Sequence, residues 1–494
     1  MSEIRELGSK SAIVFTGRIF GQFIGFISVI IIGRLLGAEI YGQFVYITSF
    51  LSFFIIIPKL GMENGIVSFL SRNTISKEEK RSILSFSLRL TGTLSLIVIV
   101  VSYLNAEFIL KTLLNDVAYG ELFLLLLPTI ILDSVKAMLQ SSLRAVRKIK
   151  EITFMENLFA PISKILFVIL LVIIFNIQNY LPLVIPLYVN SFASIVYYIY
   201  KLNKLGLIGK VSKQFENMQL VRFSLPLLFT GVVSIITHNV DQYMIGYMRG
   251  ATDVGIYRIA LQFGTFSSMA LGAVNTVFAP LISNLYHDNR IRDLSNMYKL
   301  TTKWITAINL MIFGMILVFS EDIMHLAGEE FMAGSVALIL VCLGQIINSI
   351  VGSVGYLNTM TGHPQLNLIG SVIAMAVNVV LNLLLIGPLG INGAAIATAA
   401  SLGVGNIIAF IFMYKSLKIH PYDKSYISLF GVLALSTVII YILSSFMDIN
   451  YLLRLIICGV VYSALFVFLV FKFVMSEYEV NTLKKEIKKV FKKA

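Results

Sequence analysis

The stretch Gly33-Arg-Leu-Leu-Gly-Ala-Glu-Ile-Tyr-Gly42 is repeated in outline as Gly246-Tyr-Met-Arg-Gly-Ala-Thr-Asp-Val-Gly255. Its four small residues recur after 213 positions, and each copy connects two long apolar segments. Six segments separate the copies, and because six is even, both copies enter the membrane in the same direction. The pattern predicts two parallel repeats of six helices, as in two-lobed transporters. Glycines that merely mark tight outer turns are the alternative.

Fourteen apolar segments are each long enough to cross a bilayer, which takes about 20 residues. The chain of 494 residues is 57% apolar and only 13% charged. No loop is long enough for a folded soluble domain, so we predict an all-α, polytopic membrane protein. The predicted spans are residues 11–33, 40–62, 83–105, 118–141, 154–176, 181–201, 219–243, 254–278, 298–320, 332–354, 365–387, 391–415, 424–446 and 452–475.

Lys and Arg residues, 39 in all, fall in alternate loops. With the N-terminus inside, 28 lie on the cytoplasmic side, 7 within the spans and 4 outside. Because positive loops stay on the cytoplasmic side, we predict that both termini are cytoplasmic. Orientation and anionic headgroups account for the net charge of +13, so nucleic acid is not a predicted partner.

The chain is predicted to divide into five parts. An N-lobe (1–201) and a C-lobe (219–418) are joined by a cytoplasmic connection (202–218), and two extra helices follow (419–475). The remaining segment, 476–494, places apolar residues on one helical face and lysines opposite. It predicts a basic amphipathic tail on the inner leaflet, with a solvated charged tail as the alternative.

Two rows of residues recur at intervals of four along single spans. Gly17, Gly21 and Gly25 form a predicted packing face on the first span, where a neighbouring backbone can approach closely. On the eleventh span, Asn378 and Asn382 continue a row of small residues. Either hydrogen bonding between helices or the lining of a cavity accounts for this second row.

Seven cations lie inside the spans, where each costs about 2.5–3.5 kcal/mol at a helix centre and therefore marks a functional candidate. Lys59 and Lys303 lie near inner ends of spans, where their side chains can snorkel to the headgroups. Lys136 can also pair with Asp133, three residues earlier. The other four cations are Arg18, Arg89, Lys164 and Arg258. A cationic interior with arginines, which match phosphate oxygens in pairs, favours a phosphate-bearing substrate.

Acidic residues well inside the spans are limited to Asp133 and Asp241. Together with Asn239 they are candidates for coupling Na⁺ or H⁺, whereas a helix-end residue wetted by the outer interface is the alternative for Asp241. The sequence has no phosphate-binding loop of the Gly-x4-Gly-Lys-Ser/Thr type and no metalloprotease or hydrolase motif. No enzyme activity, metal or resident cofactor is therefore predicted, and the energy would come from a gradient or from the supply of substrate.

Four short patterns occur in a characteristic order. They are Gly33-Arg-Leu-Leu-Gly37 with Tyr41-Gly42, Asp241-Gln-Tyr-Met-Ile-Gly246 with Gly255-Ile-Tyr257, Ala279-Pro-Leu-Ile-Ser283, and Gly387-Pro-Leu-Gly-Ile-Asn-Gly-Ala-Ala-Ile-Ala-Thr398. Together they resemble the polysaccharide-transporter branch of the multidrug, oligosaccharidyl-lipid and polysaccharide exporter superfamily, which includes the O-antigen-type (Wzx-like) flippases. The resemblance covers the first twelve spans.

This resemblance implies two six-helix lobes around a central cavity that opens alternately to either side. The implied cargo is an isoprenoid-pyrophosphate-linked oligosaccharide, carried from the cytoplasmic to the outer leaflet of the cell membrane for polysaccharide assembly. Related lipid-linked peptidoglycan-precursor flippases use cations on helices 1, 2 and 8, and Arg18, Lys59 and Arg258 lie on comparable helices. The predicted partners are membrane lipids and a polysaccharide polymerase or glycosyltransferases.

Other functions are also compatible with the sequence. A peptidoglycan-precursor flippase would use the same cationic interior for another lipid-linked cargo. A cation-coupled exporter of small drugs is another alternative from the same superfamily. The resemblance implies that this drug-exporting branch relies on acidic residues of the N-lobe, and only Asp133 could take that role here. A membrane scaffold for a polysaccharide-assembly complex would need no transport site.

Overall fold

The computed structural model describes residues 2–211, 215, 217–447, 449–477 and 479, with no description of the side chains of 2–16, 18, 19, 273, 276 and 277. Over these residues the chain consists of helices and turns, without a strand. The α-helices are α1 (Ser2–Lys59), α2 (Met62–Leu70), α3 (Lys77–Leu104), α4 (Ala106–Phe108), α5 (Gly120–Leu126), α6 (Thr129–Ala145), α7 (Ile149–Thr153), α8 (Ala160–Ile169), α9 (Leu181–Lys204), α10 (Asn217–Arg249), α11 (Ala251–Thr265), α12 (Met269–His287), α13 (Ile291–His325), α14 (Ser335–Val351), α15 (Val354–Met360), α16 (Pro364–Leu389), α17 (Ile391–Leu417), α18 (Ser425–Ser445) and α19 (Tyr451–Phe473). Short π-helical turns occupy Ile109–Leu113, Phe154–Phe159 and Leu170–Ile174, and 3₁₀ turns occupy Val117–Tyr119, Phe266–Ser268 and Glu329–Gly334.

Within the described part of the chain, twelve helical stretches are long and apolar enough to cross a membrane. The first of them, Phe20–Lys59, contains most of the first two predicted spans. These spans meet at Gly37, whose φ of 76° and ψ of 172° interrupt the helix in a conformation that glycine adopts at little cost. The eighth predicted span is divided between α11 and α12 by the turn Phe266–Ser268. The all-helical membrane fold is confirmed, whereas the count of fourteen crossings and the cytoplasmic placement of the termini stay predictions.

The chain divides by its internal contacts into two units. One comprises the described residues up to Ile259 together with Asn378–Ala394. The other comprises Ala260–Val377 and the described residues from Ala395 onward. The boundary of the first unit thus lies inside α11 rather than in the connection 202–218, and the predicted lobe boundaries stay a prediction.

The two repeated stretches, 33–42 and 246–255, pack against each other inside the first unit. A Cβ added at Gly42 would overlap the carbonyl oxygen of Ala251, and one added at Gly255 would overlap that of Ala38. Ala38 and Ala251, like Gly42 and Gly255, are equivalent positions of the two copies. Each contact therefore maps onto the other when the two copies are interchanged, as expected of a duplicated pair related by a two-fold axis. Only glycine allows the backbones to approach this closely.

The last two predicted spans, α18 and α19, pack against α13 in the second unit. Gly314 of α13 makes room for the fully buried Tyr462 of α19, whose hydroxyl occupies the place of a Cβ. At one end of the same helices, the Arg454 guanidinium binds the Asp322 carboxylate through two nitrogens, with N···O distances of 2.6–3.1 Å. The extra helices are thus integral to the second unit.

The glycine row of the first span is a packing face over part of its length. A Cβ at Gly17 would lie 2.8 Å from the Thr153 methyl group, and one at Gly21 would overlap the backbone of Asn157, whereas Gly25 has open space. The predicted amphipathic tail lies, from residue 480 onward, outside the described residues.

Candidate functional site

A cavity of about 350 Å³ lies within the first unit. It is bounded by the second half of α1, α2, α6, the π-helical turn Phe154–Phe159 and α10. Its walls carry six charged side chains: Lys59, Glu63, Asp133, Lys136, Arg144 and Glu156. Ser52, Ile55, Ala137, Gln140, Ser141 and Ile235 complete the lining.

Charge in this cavity is balanced, because three carboxylates face three cations. Lys59 pairs with Glu63 at 2.7 Å, and Lys136 pairs with Asp133 at 3.3 Å. Ser191 donates a further hydrogen bond of 3.2 Å to Asp133. A cationic interior was predicted from the sequence. The difference arises because Glu63, just after the second predicted span, and Glu156, near the start of the fifth, also line the cavity.

Glu156 is a cavity residue that was not predicted from the sequence. A π-helical turn holds it, and such turns widen a helix locally and often occur at functional sites. The hydroxyl of the fully buried Tyr198 donates a hydrogen bond of 3.2 Å to Glu156 Oε1. A glutamate at the third position of a predicted span was the signal that would have identified it.

From the cavity, a polar face of α1 leads to Arg258. Ser52 lines the cavity, and Ser49, about one turn earlier, donates to Gln242 Oε1 of α10 at 3.3 Å. The same oxygen accepts a hydrogen bond of 3.3 Å from Arg258 Nη1. The hydroxyl of the buried Tyr41 lies beside the same guanidinium. These bonds fix the guanidinium with neutral groups only.

Lys164 and Arg258 form a pair of cations without an acidic partner among the described residues. Lys164 is half-buried on α8, within electrostatic range of Arg258. Both side chains come from helices far apart in sequence. Charges that are taken out of water without a counter-ion cost free energy, which an anion bound between them would offset.

The other predicted cations are placed differently. Lys59 is in the balanced cavity, paired as described above. The side chain of Arg89 is exposed on α3 and does not line the cavity. Arg18 lies on α1, but its side chain is outside the described residues. The structure therefore brings together Lys164 and Arg258, with Lys59 at the other end of the polar face of α1.

Asp241 is a buried carboxylate that joins three helices. It accepts hydrogen bonds from the Tyr257 hydroxyl at 3.0 Å and from Asn382 Nδ2 at 2.6 Å. Asn382 Nδ2 also donates to Asn378 Oδ1 of its own helix at 3.1 Å, and its bond to Asp241 shows that this row of α16 hydrogen-bonds between helices. Asn382 Oδ1 is buried and accepts no hydrogen bond from a described residue. Asn239, by contrast, donates to Ile235 of its own helix.

The fold and these interior polar groups define a multi-pass helical membrane protein. A model of the polysaccharide biosynthesis protein family matches residues 7–286, more than half of the chain, and the MatE family model matches 226–384. The chain belongs to the polysaccharide biosynthesis protein family.

Individual relatives are distant. The chain is 28% identical over 169 residues to the probable low-salt glycan biosynthesis flippase Agl15 of Haloferax volcanii, a match that covers 34% of this chain and 36% of that protein. It is 22% identical to the uncharacterized membrane protein MJ1068 of Methanocaldococcus jannaschii, over 92% of both chains. In fold it is similar to the lipid II flippase MurJ in an inward closed conformation, with a TM-score of 0.72, 18% identity, and coverage of 93% of this chain and 99% of that one.

Proposed function

We propose that this protein is a flippase that moves an isoprenoid-pyrophosphate-linked oligosaccharide from the cytoplasmic to the outer leaflet by alternating access, for the assembly of a cell-surface glycan. The family and the name of the Haloferax volcanii relative support a role in glycan biosynthesis. The observation that carries the proposal is that two interior cations of the first unit, Lys164 and Arg258, have no acidic partner in the described chain. The protein would act by binding and conformational change, without catalysis.

Pyrophosphate is the anion that this pair fits best. Two unit positive charges, of which one is a guanidinium fork, complement the spread charge and paired oxygens of a pyrophosphate. Gln242 holds the guanidinium in place before the ligand arrives, so less conformational freedom is lost on binding.

The balanced cavity suits the sugar part of the cargo. Carboxylates, an amide and hydroxyl groups there can exchange hydrogen bonds with sugar hydroxyls, which are both donors and acceptors. Since the polar face of α1 leads from this cavity to Arg258, one molecule can place its sugars in the cavity and its pyrophosphate between the two cations. The isoprenoid chain would stay in the bilayer.

A translocation assay tests this proposal. The protein would be reconstituted in vesicles with a fluorescent polyprenyl-pyrophosphate lipid that carries a disaccharide, and outer-leaflet exposure would be followed by chemical quenching. We expect Lys164→Gln/Arg258→Gln to lower the initial rate at least tenfold, because each charged hydrogen bond contributes about 1.5–3 kcal/mol. Lys148→Gln/Lys150→Gln, which removes two exposed charges at the start of α7, is the matched control and should retain the wild-type rate. Equal rates for both double variants would contradict the proposal.

Asp241 is the best supported of the candidate coupling residues. A carboxylate with amide oxygens nearby can take up Na⁺ or a proton, and Asn382 Oδ1 is a buried acceptor without a donor among the described residues. Asp133 already pairs with Lys136, and Asn239 bonds within its own helix. We expect Asp241→Asn to remove the dependence of transport on an imposed Na⁺ or H⁺ gradient, measured in the same vesicles. If Asp133→Asn and not Asp241→Asn lost the dependence on the ion gradient, the coupling residue would be Asp133 in the cavity.

Two alternatives use the same cavity with different cargo. The similarity in fold to the lipid II flippase is compatible with a peptidoglycan precursor as cargo. The MatE match is compatible with a cation-coupled drug exporter. A peptide-bearing pyrophosphate lipid and a fluorescent organic cation, offered to the same vesicles, would distinguish them from the oligosaccharide lipid. Co-purification with a polysaccharide polymerase or glycosyltransferase would test the predicted partners.

A further inference from the structure

A second cavity, of about 650 Å³, belongs to the other unit and lies at the ends of α13, α18 and α19. α13 and α18 begin there and α19 ends there, which is the cytoplasmic side in the predicted topology. Three lysines, Lys299, Lys303 and Lys424, contribute to its walls. The other polar lining residues are Asn296, Asp423, Ser425, Ser476 and Glu479.

Both acidic residues of this cavity already have donors. Glu479 pairs with Lys303 at 2.6 Å, and both side chains are about nine-tenths buried, with 10% and 11% exposed. Glu479 also accepts from Ser476 N at 2.8 Å and Ser476 Oγ at 2.9 Å. Asp423 accepts from the amide and hydroxyl of Ser425 at the start of α18. The charge of Lys303 is therefore neutralised within the protein.

Lys299 and Lys424, in contrast, have no ion-pair partner in the described part of the chain. Lys299 is half-buried and Lys424 is exposed, so two ammonium groups at different depths face one open space. With Asn296 beside them, they offer several hydrogen-bond donors to a small anion. Basic pockets between helices on the cytoplasmic side are suited to anionic headgroups.

The surroundings of the cavity favour a lipid over a soluble anion. Ile427, one turn beyond Lys424 on α18, has 78% of its surface exposed, and Phe473 at the end of α19 has 55% exposed. Exposed apolar side chains beside a basic pocket fit a molecule with a charged head and acyl chains. We infer that this cavity binds the phosphate group of an anionic phospholipid of the cytoplasmic leaflet.

Fluorescence of Trp304, the single tryptophan, can test this inference. Trp304 directly follows Lys303 on α13 and is partly exposed, so brominated lipid chains near the cavity would quench it. The full chain would be reconstituted with brominated phosphatidylglycerol or brominated phosphatidylcholine at equal mole fractions. We expect stronger quenching by phosphatidylglycerol, and a loss of about fivefold in that preference for each lysine removed in Lys299→Gln/Lys424→Gln.

The matched control is Lys148→Gln/Lys150→Gln, which lowers the net charge equally at exposed positions of the other unit and should keep the preference. The basic segment after residue 479 is the same in all variants, so its own attraction to anionic lipid cancels in the comparison. Equal quenching by both lipids in the wild type, or an unchanged preference in Lys299→Gln/Lys424→Gln, would overturn the inference. Replacing chloride by inorganic phosphate should leave the preference intact, and its loss would overturn the assignment to a lipid.

Discussion

Single charged residues take their roles in this protein from their partners. Lys59 and Lys303 lie near span ends, where snorkelling was expected, yet both pair with glutamates. Glu63 is four residues from Lys59, a spacing that predicts a pair on one helix face. Glu479 is far from Lys303 in sequence, and no spacing rule links those two residues. The same holds for Lys164 and Arg258, whose charge type was predictable and whose proximity depends on the packing of distant helices. Sequence therefore indicates which cations matter more readily than which act together.

The Lys303–Glu479 pair predicts a pH dependence of stability. Burial alone would raise the pKa of Glu479, but hydrogen bonds from Lys303 and Ser476 outweigh it, and the pKa lies below its ordinary value of 4.5. A carboxyl group with a lowered pKa stabilises the fold above its unfolded pKa, and that contribution is lost as the pH falls through the folded pKa. Glu479→Gln should therefore lower the thermal unfolding midpoint at pH 7, with a gap that shrinks below about pH 4.5.

The exposed pair Lys111–Glu107 provides the control for that measurement. Because exposed ion pairs contribute little, Glu107→Gln should give a much smaller gap at pH 7. A Glu479→Gln gap that stays constant between pH 7 and pH 3.5 would show that the ion pair does not account for the stabilisation.

At the scale of helices, the apolar segments were readily found in the sequence and their interruptions were not. Length and composition located the helices, because lipid requires long apolar stretches with satisfied backbones. The kink at Gly37 and the turn Phe266–Ser268 depend on packing. Because the mean hydropathy of the sequence does not change at these points, it does not reveal them. The repeat of four small residues was a better guide, since at Gly42 and Gly255 a helix meets the backbone of another helix directly.

The crossing of the repeated stretches predicts a strong effect of small substitutions. Gly42→Ala and Gly255→Ala would each drive a methyl group into a backbone carbonyl, which no side-chain rotation can relieve. We expect each to destabilise the protein by at least about 1–3 kcal/mol, the usual range for overpacking. Thermal unfolding in detergent would measure this.

Gly25→Ala is the matched control, because a Cβ there has open space and alanine favours helix. It should leave the midpoint unchanged or raise it slightly. Equal midpoints for Gly25→Ala and Gly42→Ala would contradict the close approach at the crossing.

For the molecule as a whole, charge distribution predicts an orientation that the fold alone does not supply. The described helices are compatible with either direction of insertion, and the bias of 28 cytoplasmic against 4 outer cations is what predicts termini on the inside. Membership of the family was likewise foreseeable, because several short patterns in a fixed order carry it. The balance of charge in the cavity was not, because Glu63 and Arg144 lie at helix ends and only the tertiary fold directs them inward.

Two exposed turn residues allow the orientation to be measured. Asn115 and Asn289 both adopt positive φ, of 55° and 57°, in turns predicted to be outside and inside, respectively. The native Cys342 and Cys458 are buried, so the wild type gives little background. We expect a membrane-impermeant maleimide to label Asn115→Cys in intact cells and Asn289→Cys only after permeabilisation. The reverse pattern would invert the topology.

The attachment of α18 and α19 has a practical consequence for shortened forms of this protein. A chain cut after residue 418, at the end of the predicted C-lobe, would uncover the groove at Gly314 and leave Asp322 without its guanidinium. Acyl chains would then fill the groove in place of the Tyr462 ring, and the Asp322 carboxylate would face them without the Arg454 guanidinium. Minimal versions made for crystallisation or fusion should therefore keep the chain through Phe473.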